Sequence, residues 1–131
     1  MLKAVIIDES ATTRGLLQTI LMNNGWEVVG HTNTNAKGLM LVQKHQPHFV
    51  CIDLQQLNDE SSILDTLKSQ WPKTLIFVTS SAIDGATAQS IVARGVHGFF
   101  LKPFNQATVA NTIKNAVLRL VRGQQARAST T

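Results

Sequence analysis

The chain has 131 residues, 12 lysines and arginines against 8 acids for a formal net charge of +4, and 44% hydrophobic residues. That length fits one domain, 15% charged residues exclude a disordered composition, and the single cysteine excludes an internal disulfide. No stretch approaches the ~20 apolar residues of a membrane span and the N-terminus lacks a signal-peptide layout, so a cytoplasmic protein with no membrane partner is expected.

Apolar runs and amphipathic segments alternate five times. Ala4-Val5-Ile6-Ile7 is a continuous run, as a parallel strand covered on both faces requires. Ser10 then offers an N-cap, Leu16, Leu17, Ile20 and Leu21 give one helical face, and Asn23-Asn24-Gly25 ends the helix. Residues 26–30 form a weaker strand, expected at an edge. Thr34 caps a second helix with Ala36, Leu39 and Met40 inward, closed by Pro47. Phe49-Val50-Cys51-Ile52 is the third strand, with Cys51 a buried, reduced thiol. A polar loop is predicted from Leu54 to about Glu60, and then Ile63, Leu64 and Leu67 mark a third helix ending near Trp71-Pro72. Leu75-Ile76-Phe77-Val78 is the fourth strand. Asp84 opens a fourth helix with Ile91 and Val92 inward and Gly95 at its end, and Gly98-Phe99-Phe100-Leu101 is the fifth strand. Val109, Ile113, Ala116, Val117 and Leu120 trace the fifth helix. Beyond Arg122, residues 123–131 read as a flexible basic and polar tail, leaving one domain over 1–122.

Such alternation implies right-handed crossovers and a parallel sheet, which binds ligands at the carboxyl ends of its strands. Asp8 and Glu9 follow the first apolar run, Asp53 the third, Thr79 and Ser80 the fourth, and Lys102 the fifth. Clustered carboxylates repel, and a hard divalent cation offsets this. Magnesium suits the set because it needs only one or two carboxylates and keeps several waters. A carboxylate can attack a phosphoryl group to form an acyl phosphate, a transfer that rests mostly on positioning and charge neutralisation. Metal, Lys102 and the Thr79 hydroxyl can each take one phosphoryl oxygen, so the set is complete for phosphorylating a carboxylate.

Ile6-Ile7-Asp8-Glu9, Phe49-Val50-Cys51-Ile52-Asp53, Ile76-Phe77-Val78-Thr79 and Gly98-Phe99-Phe100-Leu101-Lys102-Pro103-Phe104, in that order, resemble the receiver domain of two-component response regulators, the CheY-like family. The resemblance covers residues 1 to about 122. It implies a flavodoxin-like, doubly wound α/β fold with a five-stranded parallel sheet of order 2-1-3-4-5 and five helices. It implies that Asp53 accepts phosphate from a histidine kinase or phosphotransfer protein. Asp8, Glu9, Asp53 and the backbone carbonyl of Gln55 would hold Mg2+. Thr79 would move toward the phosphoryl group, Lys102 would pair with it, and Phe99 would act as the switch aromatic. The Lys102-Pro103 bond would be cis. A downstream effector protein or domain would read the surface of the fourth helix, fifth strand and fifth helix, with a phosphorylation-dependent dimer compatible with the same reading. The only reactions implied are the domain's own phosphorylation and dephosphorylation.

The chain departs from the family in the loop Leu54-Gln55-Gln56-Leu57-Asn58-Asp59-Glu60-Ser61, which lacks the usual proline and glycine. The link from Thr79 to Lys102 is about one residue longer than the family's, so Ser80 is an alternative for the functional hydroxyl, although alignment of the strand favours Thr79. Two other functions compete. One is a pseudo-receiver that docks without phosphorylation. The other is a haloacid-dehalogenase-type phosphatase, which needs a second acid two residues after the nucleophile, where this chain has Gln55. Past the last acid, Asp84, come Arg94, Lys102, Lys114, Arg119, Arg122 and Arg127, and no aromatic interleaves them after Phe104, which reads as a solvated face rather than a nucleic-acid site. His31, His45, His48 and His97 lack a common metal-ligand spacing and are expected in solvated or loop positions.

Overall fold

A computed structural model of the chain describes residues 1–58 and 62–129, with side chains placed as far as residue 123. Five strands, β1 (Lys3–Ile7), β2 (Glu27–Thr32), β3 (Phe49–Asp53), β4 (Leu75–Ser80) and β5 (Gly98–Leu101), form one parallel sheet of order β2-β1-β3-β4-β5. Six helices connect and follow them among the described residues: α1 (Ala11–Asn23), α2 (Asn35–His45), α3 (Leu54–Leu57), α4 (Ile63–Gln70), α5 (Gly85–Ala93) and α6 (Gln106–Ser129). Ser10, Thr34 and Asp84 cap α1, α2 and α5 by accepting the amides of Thr13, Lys37 and Thr87, as their hydroxyl and carboxylate oxygens favour.

The strands are apolar throughout because both faces are covered. Ala4 and Ile6 join Leu17, Leu21, Phe77, Phe100 and Ile113 in the layer under α1 and α6. Val5 and Ile7 join Val42, Leu64, Leu67, Val78 and Ile91 in the layer under α2, α4 and α5. Cys51 is fully buried, and desolvation pushes its thiol far above the ordinary range, so it stays an inert core group.

Three expectations are corrected. The sixth helix is α3, which starts directly after Asp53 inside the expected loop. A four-residue segment carries no readable periodicity, and Gln56 and Leu57 are nevertheless buried. Residues 59–61 of that loop lie outside the described residues. The helical faces are also rotated from those read off the large apolar residues: α2 buries Asn35, Gly38 and Val42 while Met40 is 67% exposed, and Leu16, Val92 and Leu120 face outward. Gly38 sets the α2 face, because a Cβ there would collide with Ile7 Cδ1. Finally, α6 continues through Gly123 to Ser129, where a tail was expected. One glycine costs about 1 kcal/mol in a helix, too little to end one flanked by Arg, Gln and Ala. Residues 130–131 and the side chain of Arg127 lie outside the described residues.

The histidines are more integrated than a solvated position implies. His48 Nδ1 accepts the amide of Lys3 at 2.9 Å and His97 Nδ1 accepts that of Ile76 at 3.0 Å, each extending the ladder of a neighbouring strand. Burial, and then the Lys68 charge, hold the pKa of His97 below its ordinary value. A lowered histidine pKa favours the neutral form in the folded state, so its stabilisation is complete above about pH 6.5 and is lost as pH falls below that value through the folded pKa. Melting temperature is therefore expected to drop between pH 7.5 and 5.5 more steeply in the wild type than in His97→Gln. Equal slopes would remove His97 as the cause.

Candidate phosphoacceptor site

Asp8, Asp53, Ser80 and Lys102 sit at the carboxyl ends of four strands, beside the point where strand order reverses between β1 and β3. The Asp8 amide continues the β1–β2 ladder onto Thr32 O at 3.0 Å, and the Lys102 amide continues β4–β5 onto Ser80 O at 2.8 Å. The Lys102-Pro103 bond is cis. Lys102 Nζ lies 3.1 Å from Asp8 Oδ2 and 3.0 Å from Asp53 Oδ1, so one ammonium bridges two carboxylates. Burial lowers the Lys102 pKa, but hydrogen bonds to Asp53 and Asp8 and their charges outweigh it and leave the pKa raised.

Each carboxylate is also anchored by an amide. Asp53 Oδ2 accepts the Gln55 amide at 3.1 Å as the N-cap of α3, and Asp8 Oδ1 accepts the Ser10 amide at 2.8 Å. Arg14 Nη1 donates to the backbone oxygens of Asp8 at 2.7 Å and Glu9 at 3.3 Å, pinning the turn that carries both acids. Sequence reasoning missed Arg14 because its partners are main-chain carbonyls, which no residue pattern reveals.

A cavity of about 480 Å³ opens over this constellation, lined by Asp8, Glu9, Asp53, Gln55, Ser80 and Lys102 among others. Thr79 is 2% exposed and absent from the lining; its hydroxyl points to Asp8 Oδ2 at 3.4 Å. Ser80 lines the cavity, with its hydroxyl donating to Ala82 O at 2.6 Å and accepting the Ala82 amide at 3.3 Å. Phe99 pairs with Val78 across the sheet, packs half-buried on the α2, α4 and α5 layer, and borders a groove with Ile83 and Leu101.

For a divalent cation, the donor set fits in part. Asp8 and Asp53 converge on one ammonium and Glu9 lines the same cavity, which suffices for a hard cation that keeps most of its waters. Among the described residues, however, no three acidic, histidine or cysteine side chains form a ligand cluster. Gln55 donates its N–H to Asp53 Oδ2, which holds its main chain beside that carboxylate.

No helix among the described residues is long and apolar enough to cross a membrane. Comparison with known proteins matches residues 4–114 to the response regulator receiver domain. The chain is 24% identical over 116 residues to the chemotaxis protein CheY of Bacillus subtilis, covering 88% of this chain and 97% of that protein. It is 30% identical over 90 residues to a protein-glutamate methylesterase/protein-glutamine glutaminase of Oleidesulfovibrio alaskensis, where the match covers 67% of this chain but only 24% of that protein. Among solved structures, a CheY-like receiver domain protein from Methanospirillum hungatei superposes with a TM-score of 0.81 at 16% identity, covering 94% of this chain and 98% of that one. NtrX from Brucella abortus gives 0.86 at 21% identity, covering 96% of this chain and 29% of that one. With the sheet order, the strand-end acids and lysine, and a family match over most of its length, the chain belongs to the response regulator receiver domain family, CheY-like domains of two-component signalling.

Proposed function

We propose that the chain is a phosphoacceptor switch of a two-component phosphorelay, working in the cytoplasm. The observation that carries this is the Lys102 ammonium shared by Asp8 and Asp53 beneath an open cavity. A histidine kinase or phosphotransfer protein supplies the phosphoryl group. The Asp53 carboxylate attacks phosphorus, an O–P bond forms as the donor's N–P bond breaks, and the electron pair leaves with the donor imidazole. Lys102 shifts from the carboxylates to a phosphoryl oxygen. Asp8, Glu9 and Asp53 would hold Mg2+, which would supply positive charge to neutralise the transferring group.

Of the two adjacent hydroxyls, Ser80 borders the space a phosphoryl group would occupy, and Thr79 orients Asp8 from behind. Ser80→Ala is expected to slow adduct formation about ten-fold, the cost of one hydrogen bond to a charged group. Thr79→Val, which keeps the shape, should leave that rate within about two-fold and cost about 1 kcal/mol of stability. The reverse pattern of rates would return the hydroxyl role to Thr79.

The effector reads the surface of α5, β5 and α6, where Val92 and Leu101 are exposed. Phosphorylation there biases a two-state surface, with Phe99 as the moving aromatic.

Intact mass after incubation with acetyl phosphate and magnesium tests the proposal: a single, magnesium-dependent phosphoryl adduct is expected. The altered loop after Asp53, which lacks the family's usual proline and glycine and begins directly as the short helix α3, favours one second reading, a docking module that works without phosphorylation. It would take over if no adduct formed.

A further inference from the structure

The largest cavity among those described, about 950 Å³, lies away from the phosphoacceptor pocket, between the start of α1, the end of β2 and α2. Its lining includes Arg14, His31, Lys37, Met40, Leu41 and Lys44 and holds no carboxylate. Three permanent positive charges therefore face one concavity with no acid to balance them, in a chain whose net charge is only +4. The volume is at the upper end for small-molecule sites, which run roughly 300–1,000 Å³.

Two features give this cavity a built character. The Arg14 guanidinium is fixed on its inner side, through Nη1 to Asp8 O and Glu9 O and through Nε to His31 Nδ1 at 3.2 Å. Because His31 accepts at Nδ1, its neutral ring carries the proton on Nε2 and has a donor to offer. The second feature is apolar. A Cβ at Gly30 would lie 2.8 Å from Leu41 Cδ2, so the glycine lets Leu41 settle on β2. Met40 beside it projects outward, where a core role would have turned it in. A methionine is well suited to lie against a flat ring.

We propose that this cavity binds an organophosphate of the nucleotide class, with phosphates on Arg14, Lys37 and Lys44 and the base against Met40 and Leu41. A planar guanidinium with two flanking ammonium groups matches a polyphosphate's charge and its hydrogen-bond geometry. The apolar platform distinguishes this ligand from inorganic phosphate.

The test is calorimetric titration of the full chain with ATP, tripolyphosphate, adenosine and poly-glutamate at physiological salt without magnesium, with amide NMR shifts to place the site. Saturable ATP binding with shifts on residues 31–44 is expected. It should weaken about ten-fold or more in Lys37→Gln/Lys44→Gln, both exposed helix positions, as expected for lost charge-assisted bonds. It should persist in Asp53→Asn, which separates this site from the phosphoacceptor pocket. Equal affinity for tripolyphosphate and ATP, tighter binding of poly-glutamate, shifts confined to the Asp53 pocket, or no saturable binding at millimolar ATP would each overturn the proposal.

Discussion

Asp53→Asn is expected to abolish the phosphoryl adduct formed with acetyl phosphate and magnesium, leaving the intact mass unchanged. The substitution keeps the shape and can keep the α3 cap, since the amide oxygen can still accept from Gln55 N. It removes the anionic nucleophile and one of the two carboxylates that hold Lys102. Asp8 remains to pair with the ammonium, so the fold should survive and the loss should be one of chemistry. A circular-dichroism melt near that of the wild type would establish this. An adduct of undiminished yield in Asp53→Asn would move the acceptor elsewhere and defeat the proposed role.

Phe77→Ala is expected to be the most damaging single core change, lowering stability by about 3–5 kcal/mol, a large share of the 5–15 kcal/mol typical of a domain. Phe77 is fully buried at the centre of the α1 and α6 layer. Its ring stacks on Phe100 at 5.2 Å and 16° and meets Phe49 edge-on at 5.7 Å and 82°. Phe49 in turn meets Trp26 edge-on at 6.0 Å, so the aromatic row crosses the central strands to the β2 side. The backbone is fitted to this ring as well: a Cβ at Gly98 would sit 3.2 Å from Phe77 Cδ1. Urea unfolding should show a lower midpoint with little change in slope. Leu16→Ala, on an exposed position, should change stability by no more than about 0.5 kcal/mol. Similar losses for both variants would mean that the aromatic row is not the keystone it looks.

The parts of the fold legible in the sequence are those set by burial on two faces. Phe49-Val50-Cys51-Ile52 and Leu75-Ile76-Phe77-Val78 can scarcely be anything but central parallel strands, and both are. The strand-end chemistry was legible for the same reason, because a polar residue that interrupts such a run falls at the sheet's edge. Helix faces were less so. Pattern reading follows bulk, whereas α2 approaches the sheet where bulk is missing, at Gly38. The short α3 was hidden because the residue that starts it, Asp53, had already been read as an acceptor rather than as a cap. The Thr79 and Ser80 pair shows the limit most clearly. Two neighbouring hydroxyls are equivalent in a motif, and only the strand's register tells which one reaches the cavity.

That register has a mechanical meaning. Neighbours along a strand point to opposite faces, and partners across a parallel pair point to the same one. Thr79 therefore shares its side with Phe77 and Phe100, and Ser80 shares its side with Val78 and Phe99. Two consecutive residues are thus wired to different halves of the molecule. On the proposed reading, a phosphoryl group that engages Ser80 would act on the side shared with Phe99, while Thr79 lies on the side of the aromatic row beneath α6.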